Sequence, residues 1–116
     1  MKILIIQTSA IGDIIYTLYN IKFIKHNFPD AEIDWIVKNK NIILENQKCI
    51  NKIFYHNNMI KDIYDYIIDF GTKRSTLYLK YSLSGTKIGF VANKKKYISF
   101  FNDYSIKYNN NIAVME

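Results

Sequence analysis

The sequence predicts an α/β fold: a doubly wound, mostly parallel five-stranded sheet with helices on its faces. Three observations carry this. Strand-like and helix-like segments alternate along most of the chain. The first strand-like run, Ile3-Leu4-Ile5-Ile6, lacks polar alternation, as expected of a strand covered on both faces. The chain has 116 residues, 49% of them hydrophobic, enough for one core and one domain but not two.

The elements follow in order. Lys2 to Ile6 is the first strand. From Asp13 to Phe28, Ile14, Leu18, Ile21 and Phe28 recur at helical spacing, and Asn20, Lys22, Lys25 and His26 supply the polar side. This predicts an amphipathic helix, ended by Pro29-Asp30. Ile33 to Val37 is the second strand. Asn39 to Lys48 is a second helix, with Asn39 or Asn41 as its cap. Asn51 to Tyr55 is a short third strand, and Asn57-Asn58 opens a polar turn. Tyr64 to Phe70 is the fourth strand, running into Gly71. Lys73 to Ser82 is a helix, with Leu77 and Tyr81 four apart, which Gly85 breaks. Lys87 to Val91 is the fifth strand. Asn93 to Tyr108 is a basic and aromatic tail without a clear period. In the doubly wound order the first strand is central. The switch point lies beside it, at its C-terminal end, where such folds bind ligands. Gln7 to Asp13 therefore occupy the expected site.

Composition sets limits. No run approaches the ~20 apolar residues of a membrane span. The chain enters a strand after one Lys, with no basic leader and no small-residue cleavage site, so a cytoplasmic protein is expected. The single Cys49 excludes an internal disulfide framework and a multi-cysteine zinc site, and is expected to pack as a small apolar residue. His26 and His56 lie far apart, show no metal-ligand spacing and are expected at the surface. Net charge is +6, which fits an anionic partner, but Lys rises here together with Ile, Asn, Tyr and Phe, all with AT-rich codons. Lys94-Lys95-Lys96 reads as a solvated charge run or as a contact with an anionic membrane surface.

The segment Thr8-Ser9-Ala10-Ile11-Gly12-Asp13 lets backbone approach a ligand closely, and Gly12 tolerates angles other residues avoid. It lacks the second glycine and the Lys-Ser/Thr ending of a phosphate loop, and it is not GxGxxG. Asp13 has two readings. An acid in the first helical turn complements the helix dipole, worth roughly 0.3–1 kcal/mol. A carboxylate in a cleft also serves as general base, worth roughly 10²–10⁴-fold. Position alone favours the first. Gly71-Thr72-Lys73-Arg74-Ser75 follows the fourth strand on the same side of the sheet. Lys73 and Arg74 there either grip phosphate or carboxylate or form a solvated helical turn that opposes the dipole. Asp65 and Asp69, four apart in one strand, are expected on one face. Trp35 is expected in the core.

These residues, taken together, resemble the ADP-heptose:lipopolysaccharide heptosyltransferases, glycosyltransferase family 9. MKILIIQTSAIGDIIYTL resembles the family's opening strand, Ser-Ser or Ser-Ala, bulky residue, Gly-Asp and apolar helix, seen here as Ser9-Ala10-Ile11-Gly12-Asp13. FPDAEIDWIV resembles its Pro-x-Ala-x-Ile-x-Trp-Val segment. YDYIIDFGTKRS resembles its Tyr-Asp-x-x-Ile-Asp-x-x-Gly segment and the Lys-Ser beyond. KIGF and NNNIAVME resemble the end of its first domain and the stretch that opens the connection onward. The resemblance implies the N-terminal half of a GT-B glycosyltransferase. Residues 1–108 would form a Rossmann-like acceptor-binding domain, and 109–116 would begin the connection to a C-terminal donor-binding domain. It implies inverting transfer of heptose from ADP-heptose to the lipopolysaccharide inner core, a Kdo-lipid acceptor, with Asp13 as general base. It places Thr8, Ser9, Ala10, Gly12, Arg74 and Ser75 on the acceptor side. It implies no cofactor, no metal, no nucleic acid and a peripheral place at the inner face of the cytoplasmic membrane. Gln7 stands where the family commonly has a basic residue. The stretch from His56 to Asp62 is short, with Lys61 its single cation, where the family often carries a longer basic loop. A chain of this length lacks the donor half, so it is expected to be inactive alone. The competing reading is a stand-alone, non-enzymatic flavodoxin-like module that binds an anionic sugar or a protein partner.

Overall fold

The computed structural model describes residues 1–8, 11–38, 42–55, 60–70, 80, 83–92 and 102–108. Among the described residues six strands form one sheet: β1 (Lys2–Ile6), β2 (Glu32–Val37), β3 (Lys52–Tyr55), β4 (Ile63–Asp69), β5 (Ser84–Ala92) and β6 (Tyr104–Tyr108). Their spatial order is β3-β2-β1-β4-β5-β6, and every pairing is parallel. This is a Rossmann-like, doubly wound order. The direction of winding reverses at β1, between β2 and β4, and folds of this order bind ligands at the C-terminal strand ends of such a switch point.

Burial explains why the central run is uniformly apolar. Leu4, Ile5 and Ile6 have no exposed surface. Ile3 and Ile5 pack on one face, with Ile33, Trp35 and Val37 of β2 and with Ile14, Leu18 and Ile21 of α1 (Ile11–Asn27). Leu4 and Ile6 pack on the other face with Ile36, Tyr64, Ile67 and Leu83. Each fully buried Leu or Ile contributes about 1.5–3 kcal/mol, so β1 is the centre of both cores.

The structure departs from the sequence expectations in definite places. α1 begins at Ile11, two residues earlier than expected, and ends at Asn27. Phe28 therefore leaves the helix and stands more than half exposed instead of extending the apolar face. Its N–H closes the last turn on the Ile24 carbonyl, 2.8 Å away, and Pro29, lacking an N–H, cannot continue the helix. In the second helical segment, α2 (Ile42–Glu45) stops three residues short of Lys48. The chain turns there because Gln47 N–H reaches the Leu44 carbonyl and Ile50 N–H the Gln47 carbonyl. That turn delivers Asn51, whose N–H bonds the Ile33 carbonyl at 2.7 Å, into register beside β2. The caps Asn39 and Asn41 lie outside the described residues. So does the expected helix Lys73 to Ser82 apart from Lys80, which is helical.

Gly85 does not end a helix; it lies within β5, with a positive φ of 148°. The β4–β5 register shifts between Ile63 and Tyr66, where β4 carries one extra residue against Gly85. A Cβ on Gly85 would stand 2.4 Å from the Tyr64 carbonyl oxygen. The same bulge removes the expected pairing of Asp65 and Asp69 on one face. Asp69 is fully buried, whereas Asp65 is exposed and accepts the Lys2 N–H at 2.8 Å. A one-residue slip turns the following side chains to the opposite face.

The sheet also has one strand more than expected. β6 comes from the stretch expected to be a basic and aromatic tail without a clear period. It is pinned at its start by Asp103, whose carboxylate accepts the Lys87 N–H at 2.7 Å and whose N–H donates to the Lys87 carbonyl at 2.8 Å.

Candidate active site at the β1 switch point

The chain leaves β1 at the top of the sheet and enters α1 within a few residues. Gln7 and Thr8 are buried, at 4% and 6% exposure. Ser9 and Ala10 lie outside the described residues. Gly12 and Asp13 are exposed in the first turn of α1. Gly12 has helical backbone, so the conformational freedom expected of it is not used. A Cβ there would meet nothing within 4 Å, so the packing around it does not require a glycine either. Asp13 presents its carboxylate to solvent at the positive end of the helix, above the switch point. The structure thus keeps both readings of Asp13 available. It complements the dipole, and it is open to a ligand hydroxyl.

The strand that leads into Gly71 adjoins β1, as expected. β4 pairs directly with β1, Ile6 against Asp69, and Phe70 N–H bonds the Ile6 carbonyl at 3.0 Å. The segment with Arg74 and Ser75 therefore departs from the strand adjoining the Asp13 loop. Those two residues and Lys73 lie outside the described residues, as do His56 and the three lysines from Lys94 to Lys96. His26 is exposed, as expected. Cys49 is half-buried against the α1-side core. Among the described residues no group of His, Cys, Asp and Glu is arranged to hold a metal ion. No described helix is long and apolar enough to cross a membrane.

Sequence reasoning missed a buried polar chain beneath the site. Gln7 is not turned toward the crevice where a basic residue would meet an anion. Its Nε2 donates to Thr17 Oγ1 at 3.1 Å, and Thr17 Oγ1 donates to the Asp13 carbonyl at 2.8 Å. The Gln7 main chain is held from β2. Its N–H donates to the Ile36 carbonyl at 3.3 Å, and its carbonyl accepts the Trp35 indole N–H at 3.1 Å. Trp35 is in the core as expected, but it also fixes the loop. The signal was Thr17, a polar residue at helical spacing from Ile14 and Ile21 on the apolar face.

A second buried group lies below the end of β4. Lys80 Nζ donates to Asp69 Oδ2 at 2.8 Å and to Asn102 Oδ1 at 2.6 Å, and both charged side chains are fully buried. Asn102 lies across Gly89, where a Cβ would come within 2.5 Å of its side chain. Pairing and hydrogen bonding offset the large cost of burying these charges.

Fold and loop together define a Rossmann-like α/β domain with an exposed carboxylate, Asp13, in the helix turn that follows β1 at the switch point. The comparisons sharpen that class. The lipopolysaccharide heptosyltransferase 1 of Campylobacter coli is 46% identical over 55 residues, which are 47% of this chain and 16% of that protein. The solved structure of E. coli heptosyltransferase WaaC with ADP matches all of this chain with a TM-score of 0.81 at 20% identity, and the match spans 42% of that chain. WaaC with ADP-2-deoxy-2-fluoro heptose matches equally, with a TM-score of 0.81 at 18% identity over 44% of its chain. No protein-family model matches. About half of the chain is thus similar in sequence to a heptosyltransferase and all of it shares the fold of the WaaC structures, and it spans less than half the length of the relatives it matches.

Proposed function

We propose that this chain is the acceptor-binding half of a glycosyltransferase that moves heptose from ADP-heptose to the lipopolysaccharide inner core with inversion, and that Asp13 is its general base. The observation that carries the reading is the exposed Asp13 carboxylate in the first turn of α1, above the switch point. In the reaction, an acceptor hydroxyl oxygen attacks the anomeric carbon as the bond from that carbon to the ADP phosphate oxygen breaks. Asp13 takes the hydroxyl proton, and ADP leaves with the bonding pair. One base and one displacement invert the centre, so no metal ion or redox cofactor is required.

Thr8, Ser9, Ala10 and Gly12 would line the acceptor side with backbone and small side chains. Arg74 and Ser75, following the strand beside β1, would meet the acceptor's anionic groups. Residues 1–108 would form the acceptor domain and 109–116 the start of the link to a donor-binding domain. The acceptor is lipid-borne, so the enzyme would work peripherally at the inner face of the cytoplasmic membrane. The test is Asp13→Asn in the full-length transferase. Turnover should fall about 10²–10⁴-fold. The melting temperature should stay nearly unchanged, because a dipole contact is worth only about 0.3–1 kcal/mol. Undiminished turnover would overturn the assignment, and loss of folding would leave Asp13 as a helix-start acid.

A further inference from the structure

We propose that Gln7 and Thr17 are positioning residues that fix the Asp13 carboxylate over the switch point, an inference that rests on Asp13 being the base. Asp13 is exposed and sits at the first turn of a helix, where backbone frays most readily. A base must be held within a fraction of an ångström of its proton. The buried chain beneath it supplies that constraint. β2 grips the Gln7 main chain on both its N–H and its carbonyl. The Gln7 amide then crosses from the sheet to α1 and donates to Thr17, and Thr17 passes its own hydrogen to the Asp13 carbonyl. One hydroxyl thus serves as acceptor from the sheet and donor to the helix start.

Thr17 is fully buried on the face of α1 otherwise filled by Ile14, Leu18 and Ile21. A hydroxyl there is not explained by packing, since Val has the same shape. Nor does the helix need it, because back-bonding to the carbonyl four residues earlier slightly disfavours a helix. What the hydroxyl adds is a link between the end of β1 and the residue that carries the carboxylate. Gln7 is buried, and its side-chain amide is committed to Thr17.

Thr17→Val in the full-length transferase tests the proposal, since it keeps the volume and removes both bonds. We expect kcat to fall about 10- to 100-fold with KM for donor and acceptor within about twofold. Thr17→Ser should restore most of kcat, and in the Asp13→Asn background Thr17→Val should have little further effect. A Thr17→Val protein with undiminished kcat, beside an inactive Asp13→Asn, would overturn the positioning role alone. So would a Thr17→Val loss that persists in full on top of Asp13→Asn. An Asp13→Asn protein with full turnover would remove the base itself and the positioning role with it. If Thr17→Val does not fold, Gln7→Met carries the same comparison from the other end of the link.

Discussion

Tyr64 donates its phenolic hydrogen to Asp34 Oδ2 at 2.6 Å, on the sheet face away from α1, and Asn51 Nδ2 donates to Asp34 Oδ1 at 3.2 Å. Asp34 has no exposed surface. Burial first, and then the bond to the Asp34 carboxylate, push the Tyr64 phenol far above its ordinary value. The folded protein keeps this proton where an unfolded Tyr, near pH 10, releases it. Above that pH the unfolded state binds fewer protons than the native state, so stability falls as pH rises. The contribution is complete below about pH 10 and is lost progressively above it. Tyr64→Phe should cost about 1–3 kcal/mol at pH 7, by depriving Asp34 of a donor. It should also flatten the decline of stability above about pH 10 in denaturant titrations at stepped pH. Such pairings were invisible in the sequence. Asp34 and Tyr64 are 30 positions apart, and only the register of β1 between β2 and β4 brings them together.

At the scale of elements, legibility followed burial. β1 and β2 were readable because continuous apolar runs are what a two-sided environment demands. α1 was readable from its 3.6-residue period, and its end was marked by Pro29. β6 was missed although Tyr104-Ser105-Ile106-Lys107-Tyr108 alternates with the period of a one-faced strand. Five alternating residues within a long aromatic and basic stretch carry too little contrast, and an edge strand needs no second apolar face. Gly85 was noticed but misassigned, since a glycine marks a backbone requirement without saying which element has it. Here the requirement is a bulge. Gly85→Ala forces a side chain into a positive-φ position against a backbone oxygen that cannot move aside. It should cost about 1–3 kcal/mol or more, measurable as a lower urea midpoint, with β4–β5 amides losing hydrogen-exchange protection first.

For the molecule as a whole, the candidate site was legible as a place in the fold, the loop after the central strand. A central first strand, a short loop and an acid at the next helix start were enough to place Asp13 at a switch point. The inward turn of Gln7 was not readable, because the same residue type serves equally as a ligand contact. On the proposed reading the crevice has a second wall outside this chain, which spans 42% of WaaC with ADP. The 116-residue chain alone should therefore show no transfer of heptose from ADP-heptose to a Kdo-lipid acceptor. On the same reading, a chain that also carries a donor-binding domain should show turnover, read by release of ADP. Turnover by the short chain would contradict the two-walled site.

The placement of β1 between β2 and β4 has a consequence in time. Asp13 is made before Asp69, yet the platform beneath it needs the strand that ends there. At about 5–20 residues per second, the emerging loop waits several seconds for its second neighbour. Until then Ile3 to Ile6 form a bare apolar edge, the kind of surface that pairs with the wrong chain. Non-local parallel pairing of this kind is slow to form even in the complete polypeptide. The segment that carries the candidate base is thus synthesised before the strand that completes its platform. Its fidelity depends on what protects the nascent chain during that interval.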